Sequence, residues 1–383
     1  MKVLIYTHEY PPFKGGIATS SKKIADILKT RFNVVVCCPK YSNTRSIEME
    51  NLKIIRMSFI GGNKFKKIPI LQYVQGLMNL KKILINEKPN FLLYLGEEAE
   101  IVGGLLNNRS ITQIVRIAGS GIKSILENNS FTKILKKKLM KRLYKNSRDI
   151  IAVSENTKNL LITSKEFDEN NKIKLIYNGL EDEFIGKSKN HQLKNKLGFN
   201  DDDFILLTVS RVLPRKGQDN VIRALSKIKN NKIKYLCVGD GSHLNNFKEL
   251  VKKLNLNERV IFIGEVDREE TSSYYDIADA FILCNRTWNN KIEGLPNVVL
   301  EAMGRGKAII GSKNTGTEEL IINNKNGFHV NPENITEIKN TIIHTYENKN
   351  RLVDMGAYSL ELIKRNFSNK IMSEKYIGLF NED

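Results

Sequence analysis

Residues 279–311 read DAFILCNRTWNNKIEGLPNVVLEAMGRGKAIIG, and this stretch decides the fold. Its two ends, DAFIL (279–283) and KAIIG (307–311), are short apolar runs of strand length with a helical segment between them. The helix should begin near Pro296 or Asn297, because proline suits the first helical turn. Short apolar strands separated by helices are typical of parallel sheets that are covered on both faces.

The same alternation of apolar runs and helical segments extends over nearly the whole chain. In chain order the other runs are VLIY (3–6), VVVCC (34–38), KIIR (53–56), FLLYL (91–95), TQIVRI (112–117), DIIAV (149–153), KLIY (174–177), FILLTV (204–209), KYLCV (234–238) and RVIFI (259–263). A polar stretch from Asn178 to about His191 separates two such series. We therefore predict an α/β protein with two doubly wound, Rossmann-like domains, at residues 1–180 and 181–366.

A single large sheet is the alternative architecture. A dozen parallel strands would exceed the limit of roughly ten that is usual for open, twisted sheets, so two domains are favoured. Ligands of doubly wound domains bind beyond the carboxyl ends of the strands, which predicts an active site in the cleft between the two domains.

Composition indicates a globular protein with an anionic partner. Of the 383 residues, 41% are hydrophobic and 27% are charged, and no apolar run approaches the roughly 18 to 20 residues that cross a bilayer. The opening MKVLIYTHEYPP becomes polar too early for a signal peptide, so we expect a cytoplasmic protein. The net charge of +19 favours nucleic acid, anionic lipid or phosphorylated small molecules as partners. The four cysteines lie in apolar runs and are expected to be buried and reduced: Cys37, Cys38, Cys237 and Cys284.

Two carboxylates flank the predicted start of the helix in the opening stretch. Glu293 and Glu301 are eight positions apart, which on one continuous helix would leave them about 80° out of phase. With the helix beginning near Pro296, Glu293 lies on the loop and Glu301 lies one to two turns inside. Backbone N–H groups of Leu295, Asn297 and Val298 then point out of the helix N-terminus, where a diphosphate can bind. The alternative is an amphipathic helix with two solvated glutamates.

In this segment the sequence resembles retaining glycosyltransferases of family 4, whose signature is a glutamate, seven residues and a second glutamate. The resemblance implies the GT-B fold, with Glu301 on the ribose of a nucleotide sugar and Glu293 against the donor sugar. It also implies that Arg211 and Lys216 in TVSRVLPRKG bind the donor phosphates, and that Gly239 and Gly264 line the base pocket.

Further segments resemble the same family. Gly15 and Gly16 match its glycine-rich first loop, which implies that they bind the donor through a close backbone approach. Residues 367–383 match a final helix that crosses back onto the first domain. Asn314–Leu320 resembles a turn in which Glu318 either contacts ligand or is structural. Ala118 departs from the family, which often has a histidine there that contacts the donor sugar. Ser120 or Lys123 can take that role, whereas His8 is not an obvious replacement.

The implied reaction is transfer of a sugar from a UDP- or GDP-sugar to a glycan or lipid-linked acceptor, with retention and without a metal or other cofactor. By analogy with bacterial relatives the product is a surface polysaccharide or lipopolysaccharide. Rival interpretations are a sugar-nucleotide epimerase on the same fold, a basic nucleic-acid-binding protein and a catalytically silent interaction protein. The glutamate spacing disfavours the epimerase, and the sequence has no helix-turn-helix or aromatic RNA platform, so we expect no nucleic-acid partner.

Residues 131–145, FTKILKKKLMKRLYK, carry seven basic residues and no acidic one. Phe131, Leu135, Leu139 and Leu143 recur at every fourth position, which predicts an apolar stripe beside a cationic face. Such a helix can lie on an anionic inner-membrane surface, and Lys64, Lys66 and Lys67 would extend the basic patch. The alternative is that the stripe packs on the N-terminal sheet and the lysines are solvated.

Overall fold

The computed structural model describes residues 1–13, 15–41, 44–58, 69–119, 130–164, 170–186, 191–289 and 294–381. Contacts between residues divide the chain into two units. The first comprises Met1–Asn178 together with Lys370–Asp383, and the second comprises Gly179–Asn369. The division follows Asn178, two residues before the boundary predicted at 180, and the return to the first unit begins three residues after the predicted 367.

The first unit is built around an eight-stranded sheet. Its elements are β1 (Lys2–Thr7), α1 (Gly16–Leu28), β2 (Asn33–Pro39), β3 (Ile47–Met49), β4 (Leu52–Met57), α2 (Pro69–Glu87), β5 (Phe91–Leu95), α3 (Glu97–Leu106), β6 (Thr112–Ile117), α4 (Phe131–Asn146), β7 (Asp149–Ala152), α5 (Glu155–Thr163) and β8 (Ile173–Leu175). The strand order is β3-β4-β2-β1-β5-β6-β7-β8, and only the β3–β4 pair is antiparallel.

The second unit has six parallel strands. Its elements are α6 (His191–Lys196), β9 (Phe204–Val209), α7 (Gln218–Leu225), β10 (Ile233–Val238), α8 (Leu244–Lys253), β11 (Val260–Gly264), α9 (Arg268–Ile277), β12 (Ala280–Leu283), α10 (Asn297–Gly304), β13 (Ala308–Ser312), β14 (Gly327–Val330), α11 (Ile335–Glu347) and α12 (Leu352–Asn366), and the chain ends with α13 (Asn369–Asn381). The order β11-β10-β9-β12-β13-β14 reverses direction between β9 and β12, which is the switch point of a doubly wound sheet.

These two sheets confirm the predicted α/β class with two Rossmann-like sheets, and the single-sheet alternative is wrong. Every predicted strand is present. The sequence missed β3 and β14, because β3 is exposed throughout and β14 is four residues long and includes the polar His329. The four cysteines are buried and unpaired, as predicted.

Helix α13 belongs to the core of the first unit. Its residues Met372, Tyr376, Leu379 and Phe380 are buried against the sheet. The Phe380 ring lies 5.6 Å from the Phe32 ring and 5.1 Å from the Phe91 ring, measured between centroids. The C-terminal helix is therefore part of the hydrophobic core on one face of this sheet.

Helices α2, α3 and α4 cover the other face of the same sheet. Two glycines of α3 let α4 approach closely, since a Cβ atom at Gly104 would lie 2.2 Å from the carbonyl oxygen of Leu139. On α4 the buried residues are Met140, Leu143 and Tyr144, whereas Leu135 is exposed. The stripe predicted along α4 is therefore wrong in part, because steps of four residues drift by about 40° each around a helix. The Phe131 side chain and Lys64, Lys66 and Lys67 lie outside the described residues.

A buried carboxyl group joins α3 to α4. Glu100 is almost fully buried, and the Tyr144 hydroxyl lies 2.5 Å from its Oε2 atom. Burial raises the pKa of Glu100 from 4.5 to about 8, although the Tyr144 hydrogen bond opposes the shift. The folded protein thus holds a proton here at neutral pH that the unfolded chain releases.

We predict that Glu100→Gln changes the pH dependence of stability. Between about pH 4.5 and pH 8 the folded state binds one more proton than the unfolded state, so the free energy of unfolding should fall as pH rises through this window. The amide of Glu100→Gln remains neutral, so thermal unfolding at pH 5, 7 and 8.5 should show the variant gaining on wild type with rising pH. Glu98→Gln, on the same helix, is the control, and parallel curves for Glu100→Gln and wild type would contradict the assignment.

Candidate functional site

The carboxyl ends of β9, β10, β11, β12 and β13 meet at one edge of the second sheet, because all its strands are parallel. Ligands of doubly wound sheets bind at this edge, outside the switch point between β9 and β12. The loops that leave these strands carry most of the residues that the sequence singled out.

The loop after β9 holds, in a fixed backbone, the two basic residues that the sequence singled out. Arg211 is exposed, and Lys216, the last residue of a 3-10 turn from Pro214, is 8% exposed. The buried Gln218 donates from Nε2 to Ser210 Oγ at 2.9 Å and to the carbonyl oxygen of Arg211 at 3.1 Å. A side chain at the start of α7 thus fixes the backbone that presents Arg211.

Gly217 brings this loop against the end of β12. Its φ angle is +76°, and a Cβ atom would lie 1.8 Å from the carbonyl oxygen of Cys284. The position requires glycine on both grounds. The loop with Arg211 and Lys216 is consequently held at the switch point itself.

Gly239 and Gly264, which were predicted to line the base pocket, are joined by a backbone hydrogen bond. The Gly239 N–H donates to the Gly264 carbonyl oxygen at 2.7 Å, and both residues have positive φ angles, +126° and +89°. A Cβ atom at Gly239 would lie 2.1 Å from the carbonyl oxygen of Ser210. The ends of β10 and β11 therefore adjoin the loop that carries Arg211.

Helix α10 begins at Asn297, as predicted, with Pro296 as its cap residue. Proline has no side-chain acceptor, so the first-turn N–H groups near Asn297 and Val298 receive no cap from it. Leu295 is buried. Gly294 packs closely against Gly316, where an added Cβ atom would lie 1.2 Å from the Gly294 carbonyl oxygen. The N-terminus of α10 is thereby positioned at the same sheet edge. Glu293 lies outside the described residues.

Glu301 is half-buried on the second turn of α10 and bonds to a tyrosine of α9. The Tyr275 hydroxyl donates to Glu301 Oε2 at 2.9 Å and lies 3.2 Å from the Val298 carbonyl oxygen. Burial, and then the neighbouring Glu301 carboxylate, raises the pKa of Tyr275 far above its usual range. Tyr275 therefore stays protonated and orients Glu301.

Sequence reasoning missed Tyr275 and a second polar group beneath the site. The fully buried Asn285, after β12, accepts at Oδ1 from the Thr317 hydroxyl at 2.9 Å, while its Nδ2 has no hydrogen-bond partner in the described part of the chain. Glu318 accepts from the Asn314 N–H at 2.6 Å, which closes its own turn.

An ion pair supports the loop after β12. Arg286 is buried, and its Nη2 atom lies 2.8 Å from Asp219 Oδ2 at the start of α7. The Arg286 guanidinium also lies 5.5 Å from the ring of Trp288, the only tryptophan in the chain. The loop that leads toward Glu293 therefore starts from a buried, charged anchor.

Gly15 and Gly16 lie in the first unit, where Gly15 caps α1 and Gly16 begins it. A Cβ atom at Gly16 would meet nothing within 4 Å, so local packing does not demand glycine there. Ala118 follows β6 and is half-buried, whereas Ser120 and Lys123 lie outside the described residues. His8 follows β1 beside the Tyr6 hydroxyl, and burial lowers its pKa to about 4.

Comparison with known proteins identifies the class that this fold and site define. Residues 14–184 match the family described as Glycosyltransferase Family 4, and residues 189–361 match Glycosyl transferases group 1. The chain is therefore a GT-B glycosyltransferase of the family 4 type.

Individual relatives agree with this class. The chain is 31% identical over 260 residues to the uncharacterized glycosyltransferase MJ1069 of Methanocaldococcus jannaschii, covering 66% of this chain and 63% of that one. It is 29% identical over 229 residues to the O-antigen biosynthesis glycosyltransferase WclY of Escherichia coli, covering 58% and 61%. The matched segments thus span less than two thirds of either relative. The crystal structure of Anabaena Alr3699/HepE in complex with UDP has the same fold, with a TM-score of 0.81 and 19% identity over 100% of both chains.

We predict that Tyr275→Phe weakens nucleotide diphosphate binding by about tenfold or more. Glu301 loses the hydrogen bond that orients it, and a bond to a charged group is worth about 1.5 kcal/mol or somewhat more. Calorimetric titration with UDP and with GDP measures the effect, and Tyr274→Phe, one residue earlier on α9, is the matched control. Equal affinity in the two variants would remove Tyr275 and Glu301 from the nucleotide site.

Proposed function

We propose that this protein is a retaining glycosyltransferase that moves a sugar from a UDP- or GDP-sugar to a glycan or lipid-linked acceptor. One observation carries the proposal. At a single edge of the second sheet, the loop that carries Arg211 and Lys216 is held against the end of β12, and the N-terminus of α10 lies at the same edge with no side-chain cap from Pro296. Cations and backbone N–H groups of this kind stabilise the charge that develops on a departing diphosphate.

The donor would occupy the second unit. Arg211, Lys216 and the N-terminus of α10 from Leu295 to Val298 bind the diphosphate, and Glu301 binds the ribose hydroxyls. Gly239 and Gly264 border the base, and Glu293 contacts the sugar. Each charged donor of this kind can contribute about 2.7 to 4 kcal/mol in the transition state. The first unit takes the acceptor.

The proposed mechanism needs neither a metal nor another cofactor. The bond from the anomeric carbon to the diphosphate oxygen breaks, and the acceptor hydroxyl attacks the same face of the sugar. The departing phosphate takes the hydroxyl proton, so configuration is retained without a protein nucleophile. Protein cations supply the charge stabilisation that a metal supplies in other transferases.

The relationship to WclY supports a role in surface polysaccharide or lipopolysaccharide synthesis. Such acceptors are built at membranes, so we propose a cytoplasmic protein that associates peripherally with the inner face of the cell membrane. The basic helix α4, which contains residues 131–145, is the proposed contact with anionic lipid. In the part of the chain that the structure describes, no helix is long and apolar enough to span a bilayer.

We expect Arg211→Ala and Lys216→Ala each to lower turnover at least tenfold without unfolding the protein, because each removes a cation from the leaving group. Glu301→Gln should weaken nucleotide binding through the ribose. The donor is first identified by thermal shift with a panel of nucleotide sugars, and turnover is then followed as nucleotide diphosphate released in a phosphatase-coupled assay. Arg223→Ala, an exposed arginine on α7, is the control. Wild-type turnover in either basic variant would overturn the phosphate assignment.

Retention and metal independence make a separate prediction. Activity should survive EDTA, and NMR of the product should show the anomeric configuration of the donor. An inverted product would exclude the retaining class, and loss of activity in EDTA that Mg²⁺ restores would exclude the metal-free mechanism. Release of nucleotide diphosphate in proportion to added acceptor separates a transferase from the rival epimerase, which uses no acceptor.

A further inference from the structure

Helix α2 carries apolar side chains on its solvent side as well as its buried side. Leu71, Val74, Met78 and Ile85 are 47%, 44%, 66% and 71% exposed. Spacings of three, four and seven residues place these four on one face of a helix. The opposite face already contributes Leu80, Ile83 and Leu84 to the core. The outer stripe is therefore not needed to cover the sheet.

The first two turns of α4 also expose apolar side chains. Ile134 and Leu135 are both about half exposed. Lys136, one residue later, has its Nζ atom 5.9 Å from the centre of the Tyr73 ring, which lies between Leu71 and Val74 on α2. The N-terminal turns of α2 and α4 are thus neighbours across α3. We call these six exposed apolar residues and the basic residues beside them the α2–α4 surface.

The charges on the α2–α4 surface are almost all positive. The exposed basic residues are Lys81 and Lys82 on α2 and Lys138, Lys141, Arg142 and Lys145 on α4. Helix α4 has no acidic residue. On α3, Glu97 is paired with Lys136 at 2.8 Å, and Glu98 is hydrogen-bonded to Tyr73. Glu87, at the end of α2, lies 2.9 Å from Lys53 and 3.1 Å from Lys2. The surface therefore combines an apolar stripe with a surplus of positive charge.

We propose that the α2–α4 surface docks the protein on an anionic lipid bilayer, with the apolar stripe of α2 inserted at the interface and the basic face of α4 on the headgroups. A helix with apolar residues facing outward and basic residues beside them has the composition of an interfacial membrane helix. This inference deepens the proposed membrane association and rests on that part of the proposed function. It assigns the inserting element to α2 rather than to α4 alone.

Two other occupants fit the surface less well. Nucleic acid would bind the basic residues but would leave the α2 stripe in water. A second copy of this chain, joined through a two-fold axis, would bring the same six basic side chains face to face. An anionic bilayer satisfies both the apolar and the charged component.

Sedimentation of the full-length protein with vesicles tests the proposal. At low salt the protein should bind phosphatidylglycerol–phosphatidylcholine vesicles and should not bind pure phosphatidylcholine vesicles. The apolar variant Leu71→Ser/Val74→Ser/Met78→Ser keeps every charge and should bind the anionic vesicles at least tenfold more weakly. The charge variant Lys138→Gln/Lys141→Gln/Arg142→Gln/Lys145→Gln should lose at least as much, since each basic residue near the membrane contributes about fivefold.

Matched controls change equally exposed residues elsewhere. Met49→Ser/Ile322→Ser/Val353→Ser removes three exposed apolar residues, and Lys227→Gln/Lys229→Gln/Lys252→Gln/Lys253→Gln removes four exposed lysines. Both control variants should bind like wild type. Circular dichroism checks that each variant is folded. We expect the serine variants to fold, because the replaced side chains face solvent.

Three outcomes would overturn the proposal: no binding of wild type to anionic vesicles, equal binding by the apolar variant and wild type, or equal losses in the controls. A change in sedimentation coefficient without vesicles, confined to the α2–α4 variants, would instead identify the surface as a contact between copies. Donor turnover without vesicles is measured in parallel. Loss of vesicle binding with turnover intact separates failure of docking from failure of the proposed transferase.

Discussion

The contact between Gly217 and the carbonyl oxygen of Cys284 is the constraint on which the candidate site depends. It joins the loop after β9 to the end of β12, the two strands between which the sheet order reverses. No side chain fits between them, since even a Cβ atom would overlap the carbonyl oxygen. Because Lys216 directly precedes this glycine and Asn285 directly follows Cys284, the contact fixes both residues at the switch point.

In the proposed reaction the protein must stabilise a leaving diphosphate without reorganisation, so a fixed backbone matters at this site. A lysine or arginine on a mobile loop loses much of its electrostatic benefit to the entropy of holding it. The loop after β9 avoids that cost through Gln218, which bonds to Ser210 and to the Arg211 carbonyl oxygen from a buried position. Arg211 is solvent-exposed while the backbone that carries it is anchored. At α10 the cap residue Pro296 has no side-chain acceptor for the first-turn N–H groups. A Ser or Asp cap residue would compete with an anion for these groups.

The fold was largely predictable because its strands are continuous apolar runs, and such runs can be recognised without knowing which strands they pair with. The start of α10 was also predictable, because Pro296 is a local signal. The hydrogen bond from Tyr275 to Glu301 was not, since it joins residues 26 positions apart on two helices and Tyr275, unlike Glu301, belongs to no local pattern. The same holds for Thr317 and Asn285, which come from the ends of different strands. On α4 the seven basic residues could be recognised from the sequence. Which face of α4 is buried could not, because it depends on the close approach of α3 at Gly103 and Gly104, and the spacing of residues along α4 does not show that contact.

We propose two separate uses for the positive charge of this chain, which differ in how the charge is held. At the second sheet a small number of cations would act at short range, and Lys216 is nearly buried, where a low dielectric would strengthen its interaction with a phosphate. On α4 the basic side chains are numerous and mostly exposed, and individually each is screened by salt within about 10 Å. Exposed charges of this kind act only in number and only on an extended anionic surface. A net charge of +19 therefore favours nucleic acid no more than lipid, because the distribution of the charge, and the apolar stripe beside it, decide between them.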